Sequence, residues 1–443
     1  MKIKRDLMEK LKNWKKSPDR KPLILRGVRQ CGKTFLLHEF GRLCFKNVAY
    51  FNFESNEDLS SLFAGSYNPK EILKNLGVIA GFHIEAEKTL VIFDEIQACP
   101  RAINSLKYFC EQAPEYAIVS AGSLLGVSLA SEAGFPVGKV SFLELTPCTF
   151  SEYLESRDKM MAEFCKNAEL AEIPEIFLKK LEEYLREYIA LGGMPAVLTK
   201  YLETNNLFAA EDVLDGIFKS YEMDFSKHAP KEDVKKLYLI WNSIPKHLAR
   251  ENAKFIFDEV RSGARAKDLE DEIEWLLNSG LVKKVYNVKN PQLPLMSHIE
   301  RKIFKLYTAD TGILRRLAKL PIDTVISAKD LFADFKGRLV ENYVLQQLSA
   351  LEISPVCYWT SSADAEVDFL IQSQDGAIPV EVKSGENLKA KSLATFRKKY
   401  SPELSIRASM KNLRLDAGLL NIPLPFVNQI KRMINAALKN NHR

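Results

Sequence analysis

The sequence predicts an α/β protein, with a parallel sheet near the N-terminus, a helical middle, and a mixed sheet toward the C-terminus. Three observations predict it. Short apolar runs alternate with helical periodicity from residue 21 to about residue 145, the pattern of a sheet whose strands are joined by crossover helices on both faces. The first run is followed at once by a glycine-rich loop, Gly27-Val28-Arg29-Gln30-Cys31-Gly32-Lys33-Thr34. Near the other end, two strand-like segments flank a turn that holds Asp375-Gly376, a hairpin signal.

Taken in order, the chain opens with Leu7, Leu11 and Trp14 at helical spacing among charges, which reads as an amphipathic helix rather than a secretory signal. Strands are expected at residues 23–26, 48–53, 90–94, 117–120 and 140–145. From about 150 to 250 strand signals vanish. Leu178, Leu181, Leu185, Tyr188 and Ile189 repeat at helical spacing, until Gly192-Gly193-Met194-Pro195 stops the helix. A helix with apolar Leu269, Ile273, Leu276 and Leu277 then breaks at Ser279-Gly280, and strands follow at 281–286 and 303–307. Helices followed by two strands fit a winged helix. The expected domains are residues 1–150, a helical lid or linker at 151–233, a winged-helix-like domain at 234–320, and a last domain at 325–443.

The glycine-rich loop fills every fixed place of the P-loop. Gly27 and Gly32 let the backbone wrap a polyphosphate, so that the amides of Arg29, Gln30 and Cys31 and the start of the next helix face the anion. Lys33 is expected to reach the β- and γ-phosphates and Thr34 to offer its hydroxyl to Mg²⁺. The run Leu90-Val91-Ile92-Phe93 ends in Asp94-Glu95, which places Asp94 for the metal and Glu95 for polarising the attacking water. Ser123, after the fourth strand, is a candidate sensor of the γ-phosphate. ATP and Mg²⁺ are therefore the expected cofactors, and hydrolysis as well as binding is implied.

Composition sets limits. The chain has 443 residues, 46% of them hydrophobic, enough for about three packed cores. A net charge of +6 permits nucleic-acid contact without requiring it. Seven cysteines without a Cys-x-x-Cys pair indicate neither a disulfide framework nor a zinc site. No apolar run approaches bilayer length, so a cytoplasmic protein with no membrane partner is expected. The candidate recognition helix carries Asp268, Glu270, Asp271 and Glu272 against Lys267, an unfavourable surface for phosphates. The basic residues Lys389, Lys391, Arg397, Lys398 and Lys399 are the better candidate contact for DNA.

A second constellation lies in the hairpin. Residues 366–371 and 378–383 read as its strands, bringing Asp368 near Glu381, with Lys383 on the face of Glu381. Two carboxylates and a lysine on adjacent strands can hold a divalent cation and activate water against a phosphodiester. Glu341, on a preceding helical pattern, is a candidate third ligand. The arrangement resembles the PD-(D/E)xK nuclease superfamily, where Asp368, Glu381 and Lys383 would match the fixed acids and base.

The whole chain resembles the prokaryotic family of AAA+ type P-loop ATPases that carry a winged helix and a C-terminal PD-(D/E)xK-like, restriction-endonuclease-like domain. The residues that carry the resemblance are the P-loop, Phe93-Asp94-Glu95-Ile96-Gln97, Ser123, Glu144-Leu145-Thr146-Pro147 with Phe150-Ser151-Glu152-Tyr153, Gly192 to Pro195, Leu306-Tyr307-Thr308-Ala309-Asp310-Thr311-Gly312, and Glu381-Val382-Lys383. Where that family commonly has Gly-Arg before the fifth strand, this chain has Gly138-Lys139, and lysine cannot pair bidentately with phosphate. The resemblance implies a Mg²⁺-dependent ATPase that couples nucleotide state to a nuclease-like domain. Two alternatives stand beside it: an ATP-controlled DNA nuclease in defence or DNA processing, and an ATP-dependent switch with an inactive docking domain. Candidate partners are ATP, DNA, a second copy of the chain or another protein.

Overall fold

The structure, a computed structural model, describes residues 2–65, 67–123, 135–327, 335–361, 365–383 and 391–441. The chain divides into two compact units, one of residues 4–146 with 278–280, the other of residues 1–3, 147–277 and 281–443.

In the first unit five strands form one sheet: β1 Leu23–Gly27, β2 Asn47–Asn52, β3 Thr89–Asp94, β4 Ala117–Ser123 and β5 Ser141–Leu145. Their spatial order is β2-β3-β4-β1-β5, and every pair is parallel. All six residues of β3 are buried, as an apolar run covered on both faces requires. Helices Lys33–Cys44, Pro69–Ala80 and Pro100–Gln112 make the crossovers. On one side, Phe51, Phe53, Phe63, Phe93 and Phe109 interlock with ring centroids 5.6 to 6.3 Å apart, tilted and edge-on contacts that add to area burial. Strand β4 runs past its expected end at residue 120, because Ala121 and Gly122 stay paired with Leu25 and Arg26 of β1. Small residues that look like turn formers are kept in the strand by its neighbour.

The second unit begins with helices, including Phe150–Arg157, Glu175–Leu191, Pro195–Thr204 and Leu207–His228. Thr149 and Glu152 form a reciprocal capping box at the start of the first of these. An eight-stranded sheet follows, made of β6 Val282–Val288, β7 Ile299–Thr308, β8 Val356–Thr360, β9 Glu366–Gln372, β10 Ala377–Val382, β11 Ser405–Ser409, β12 Arg414–Asp416 and β13 Leu419–Pro423. Its order is β12-β13-β11-β10-β9-β8-β6-β7. The expected hairpin of β9 and β10 is present, with Val380 opposite Phe369.

The strands read as a wing differ from expectation. Strands β6 and β7 do pair antiparallel, but β6 also pairs parallel with β8, Tyr286 to Val288 against Cys357 to Trp359. One core holds Val288 and Leu295 together with Trp359, Val367, Leu370 and Phe396. One sheet thus crosses the divide expected at residues 320–325. Local turn and periodicity signals define the two strands but cannot reveal a partner some seventy residues away. Lys389 lies outside the described residues, whereas Lys391, Arg397, Lys398 and Lys399 lie on the helix Lys391–Tyr400.

The glycine break and the Asp310 motif meet. Gly192 ends its helix at φ 80° and ψ −174°, a region open to glycine. A Cβ there would lie 2.1 Å from Asp310 Oδ1. Asp310 accepts hydrogen bonds from the amides of Gly193 and Ile313 and from Gln346 Nε2, and burial pushes its carboxyl up to about 6. The helix Lys336–Ala350 supplies further buried amides, with Asn342 Oδ1 accepting from Thr308 N at 3.0 Å and Gln347 Oε1 from Phe150 N at 3.0 Å. We expect Gly192→Ala to cost this unit at least about 3 kcal/mol, through backbone strain plus the clash. Denaturant unfolding measures it, and an unchanged transition would contradict this account of the break.

Candidate functional site

The register of the first sheet brings the sequence-predicted residues of the P-loop site together. Gly27 ends β1 beside Ser123 of β4 and Leu145 of β5, and Asn52 ends β2 beside Asp94 of β3. Five parallel strands therefore deliver their last residues to one edge, where the loop and the N-terminus of helix Lys33–Cys44 also lie. In open α/β sheets this edge is where ligands bind. The loop needs its glycines: a Cβ on Gly27 would sit 2.3 Å from Leu145 O and 2.9 Å from Cys31 Sγ, and Gly32 has φ 92°. Gln30 also takes a positive φ of 63°, so the loop turns tightly around its amides. Buried Cys31 contacts Leu145 O through its thiol, and Arg5 Nη1 donates to Cys31 O at 2.9 Å, which braces the loop from behind.

Lys33 is 7% exposed, and its ammonium donates to Gly27 O and Val28 O at 3.0 and 3.1 Å. Thr34 Oγ1 donates to Asp94 Oδ2 at 2.8 Å. Asp94 is 3% exposed, and its other oxygen accepts from Glu95 N at 3.1 Å. Glu95 has φ 49° and ψ 45°, and Gln97 Nε2 donates to Glu95 Oε2. A hydroxyl and a carboxylate held together on one edge are hard oxygen donors of the kind that suits Mg²⁺. Arg29 is half-buried and Gln30 exposed in the same loop.

Sequence reasoning missed two members of this edge. Tyr50 OH donates to Asp94 Oδ2 at 2.7 Å, and Asn52 Nδ2 donates to Tyr50 OH at 3.2 Å. Burial and the neighbouring Asp94 push the Tyr50 phenol up to about 12, with Asn52 opposing, so it remains a donor at neutral pH. The available signal was the polar interruption Tyr50-Phe51-Asn52 in an otherwise apolar strand, but it points nowhere until β2 is known to lie beside β3. Lys139 stands before β5, at the opposite edge of a parallel sheet, and pairs with Glu111 at 2.9 Å on the surface.

In the second unit, Glu341, Asp368, Glu381 and Lys383 interact. Asp368 Oδ2 accepts from Val382 N at 2.7 Å. Desolvation, then the Glu381 and Glu341 carboxylates, hold the Asp368 carboxyl well above its usual range. Glu381 is 2% exposed and pairs with Lys383 at 2.7 Å, while its Oε2 is buried without a hydrogen-bond partner. Burial raises Glu381 too, against the pull of Lys383. Glu341 takes Arg338 Nη1 at 2.7 Å and Tyr307 OH at 3.0 Å. Among the described residues no three His, Cys, Asp or Glu side chains are arranged to hold a metal ion; Glu341 and Glu381 each turn to a cation of the chain instead. Sequence reasoning also missed Lys305, which is fully buried on β7, paired with Glu366 and 4.7 Å from the centre of the Tyr358 ring. Its strand looked like part of a separate wing.

Comparisons with known proteins follow this division. Residues 19–154 match the family profile described as an AAA domain. Residues 182–324 and 336–427 match two profiles described as domains of unknown function, DUF8612 and DUF4143. An uncharacterized protein of Methanocaldococcus jannaschii is 23% identical over 408 residues, covering 90% of this chain and 81% of that protein. Among solved structures, a Walker-type ATPase of Pyrococcus abyssi aligns with a TM-score of 0.45 and 16% identity, over 72% of this chain and 98% of that one. The Orc1 protein of Aeropyrum pernix in complex with DNA aligns with a TM-score of 0.29 and 13% identity, over 73% of this chain and 94% of that one. No helix among the described residues is long and apolar enough to cross a membrane.

Proposed function

We propose that this chain, whose N-terminal unit carries an AAA-type P-loop ATPase domain, is a Mg²⁺-dependent ATPase whose nucleotide state governs the unit that follows. The observation that carries the reading is the Thr34 to Asp94 hydrogen bond at 2.8 Å, which joins the loop to the acidic end of β3. Lys33 and the amides of residues 27–34 bind the β- and γ-phosphates, and Thr34 with Asp94 hold Mg²⁺, which offsets phosphate charge when bound. Glu95 takes a proton from the attacking water, and Ser123 meets the γ-phosphate from β4. Phosphate release by the full chain with ATP, with Mg²⁺ or with chelator, tests the reading. Release that needs both supports it, and no release with either overturns it.

A second reading, an ATP-controlled nuclease acting on DNA, is favoured by the buried and unpartnered Glu381 Oε2 beside Asp368. A lone acceptor in a desolvated place is costly without a cation or donor. On this reading Asp368 and Glu381 hold the divalent ion, Glu341 assists, and Lys383 acts on the attacking water. The opposing observation is that Arg338 and Lys383 already neutralise Glu341 and Glu381, which suits a docking domain. We expect a calorimetric Mn²⁺ titration of the nucleotide-free full chain to lose one binding event in Asp368→Ala, and plasmid nicking to be lost with it. Identical titrations, with intact plasmid throughout, leave the docking reading standing.

A further inference from the structure

Asp94 is held at both of its oxygens, and one holder has no assigned part. Oδ1 accepts the Glu95 amide, while Oδ2 accepts two hydroxyls, Thr34 from the helix and Tyr50 from the edge strand β2. Tyr50 is itself oriented. Asn52 Nδ2 donates to its oxygen, and the Asn52 Oδ1 accepts the amides of Glu54 and Ser55 at 3.0 and 2.8 Å, which fixes the amide plane. The Tyr50 ring lies 4.7 Å from the His38 ring on the helix that begins at Lys33. A relay of hydrogen bonds thus runs from the turn after β2 into the acidic end of β3. Packing does not require it: Tyr50 is 37% exposed, so water is within reach, and its hydroxyl is nevertheless placed against a carboxylate that is 3% exposed.

We propose that Tyr50 is a positioning residue for the divalent cation of the ATPase site, acting through Asp94, with Asn52 as its own support. This rests on the ATPase reading given above. The carboxylate can rotate about its last side-chain bond unless both oxygens are tied. Were the Thr34 oxygen engaged by a cation, Tyr50 would remain a side-chain donor on Oδ2 and would keep the group in one orientation. Partners behind a metal-binding group commonly govern affinity by 10- to 100-fold.

Tyr50→Phe removes the hydroxyl and keeps the ring against His38. The test is a Mn²⁺ titration followed by electron paramagnetic resonance, on the full chain with a non-hydrolysable ATP analogue, wild type against variant. The expected result is Mn²⁺ affinity lowered by about tenfold, with analogue affinity in chelator and the thermal unfolding transition both kept. A merely structural tyrosine would instead lower the unfolding transition and leave Mn²⁺ affinity alone, and that result overturns the proposal. Equal Mn²⁺ affinity with equal stability overturns it as well. If wild type fails to bind the analogue at all, the ATPase reading falls and takes this inference with it, which separates the two failures.

Discussion

Lys33→Ala is expected to lower ATP turnover by at least about 10²-fold and to weaken nucleotide binding in parallel. On the proposed reading Lys33 is the cation that meets the terminal phosphates, and at 7% exposure it is drawn in over the loop, on the carbonyls of Gly27 and Val28. Charge-assisted hydrogen bonds in such a partly dehydrated place are stronger than neutral ones. Besides those two bonds, Gly27, Gly32 and the Cys31 contacts to Leu145 and Arg5 hold the loop's shape. Turnover and binding should therefore fall without unfolding, which circular dichroism checks. Wild-type turnover in the variant would defeat the assignment of the loop.

Glu95→Gln should separate binding from chemistry. The amide has nearly the size of the carboxylate and can still accept from Gln97 Nε2, which now donates to Glu95 Oε2. It cannot take a proton, so turnover should drop by roughly 10²-fold or more, the usual worth of a placed general base. Nucleotide affinity should hold, because no phosphate contact is altered. Retention of labelled ATP together with slow phosphate release is the expected pair of results. Full turnover would mean that another group serves as base.

What the sequence revealed follows the range over which each signal acts. The P-loop is eight consecutive residues after a strand, and Asp94 and Glu95 end an apolar run, so both halves of the nucleotide site were legible as local patterns. Their meeting was also legible, since parallel strands bring their C-terminal ends to one edge. Tyr50 was not, because its role depends on β2 lying beside β3 with Asn52 opposite Asp94. Lys305 and Tyr307 were hidden for the same reason. They sit on β7, which pairs with β6, and β6 in turn joins β8 through Tyr286 to Val288. A strand pair read as a separate wing thus supplies two groups to the C-terminal cluster. Gly192 and Asp310 each stood out as motif residues, yet that a side chain on the first would strike the second is a long-range fact with no periodicity to announce it.

On the reading proposed above, the edge formed by β1, β3 and β4 hydrolyses ATP with Mg²⁺. Its most direct test is steady-state phosphate release by the full wild-type chain across ATP concentrations, with Mg²⁺, with chelator, and beside Lys33→Ala. Saturable release with Mg²⁺ that vanishes in chelator and in the variant is the expected result. Release equal in all three samples, or none in any of them, would contradict that reading.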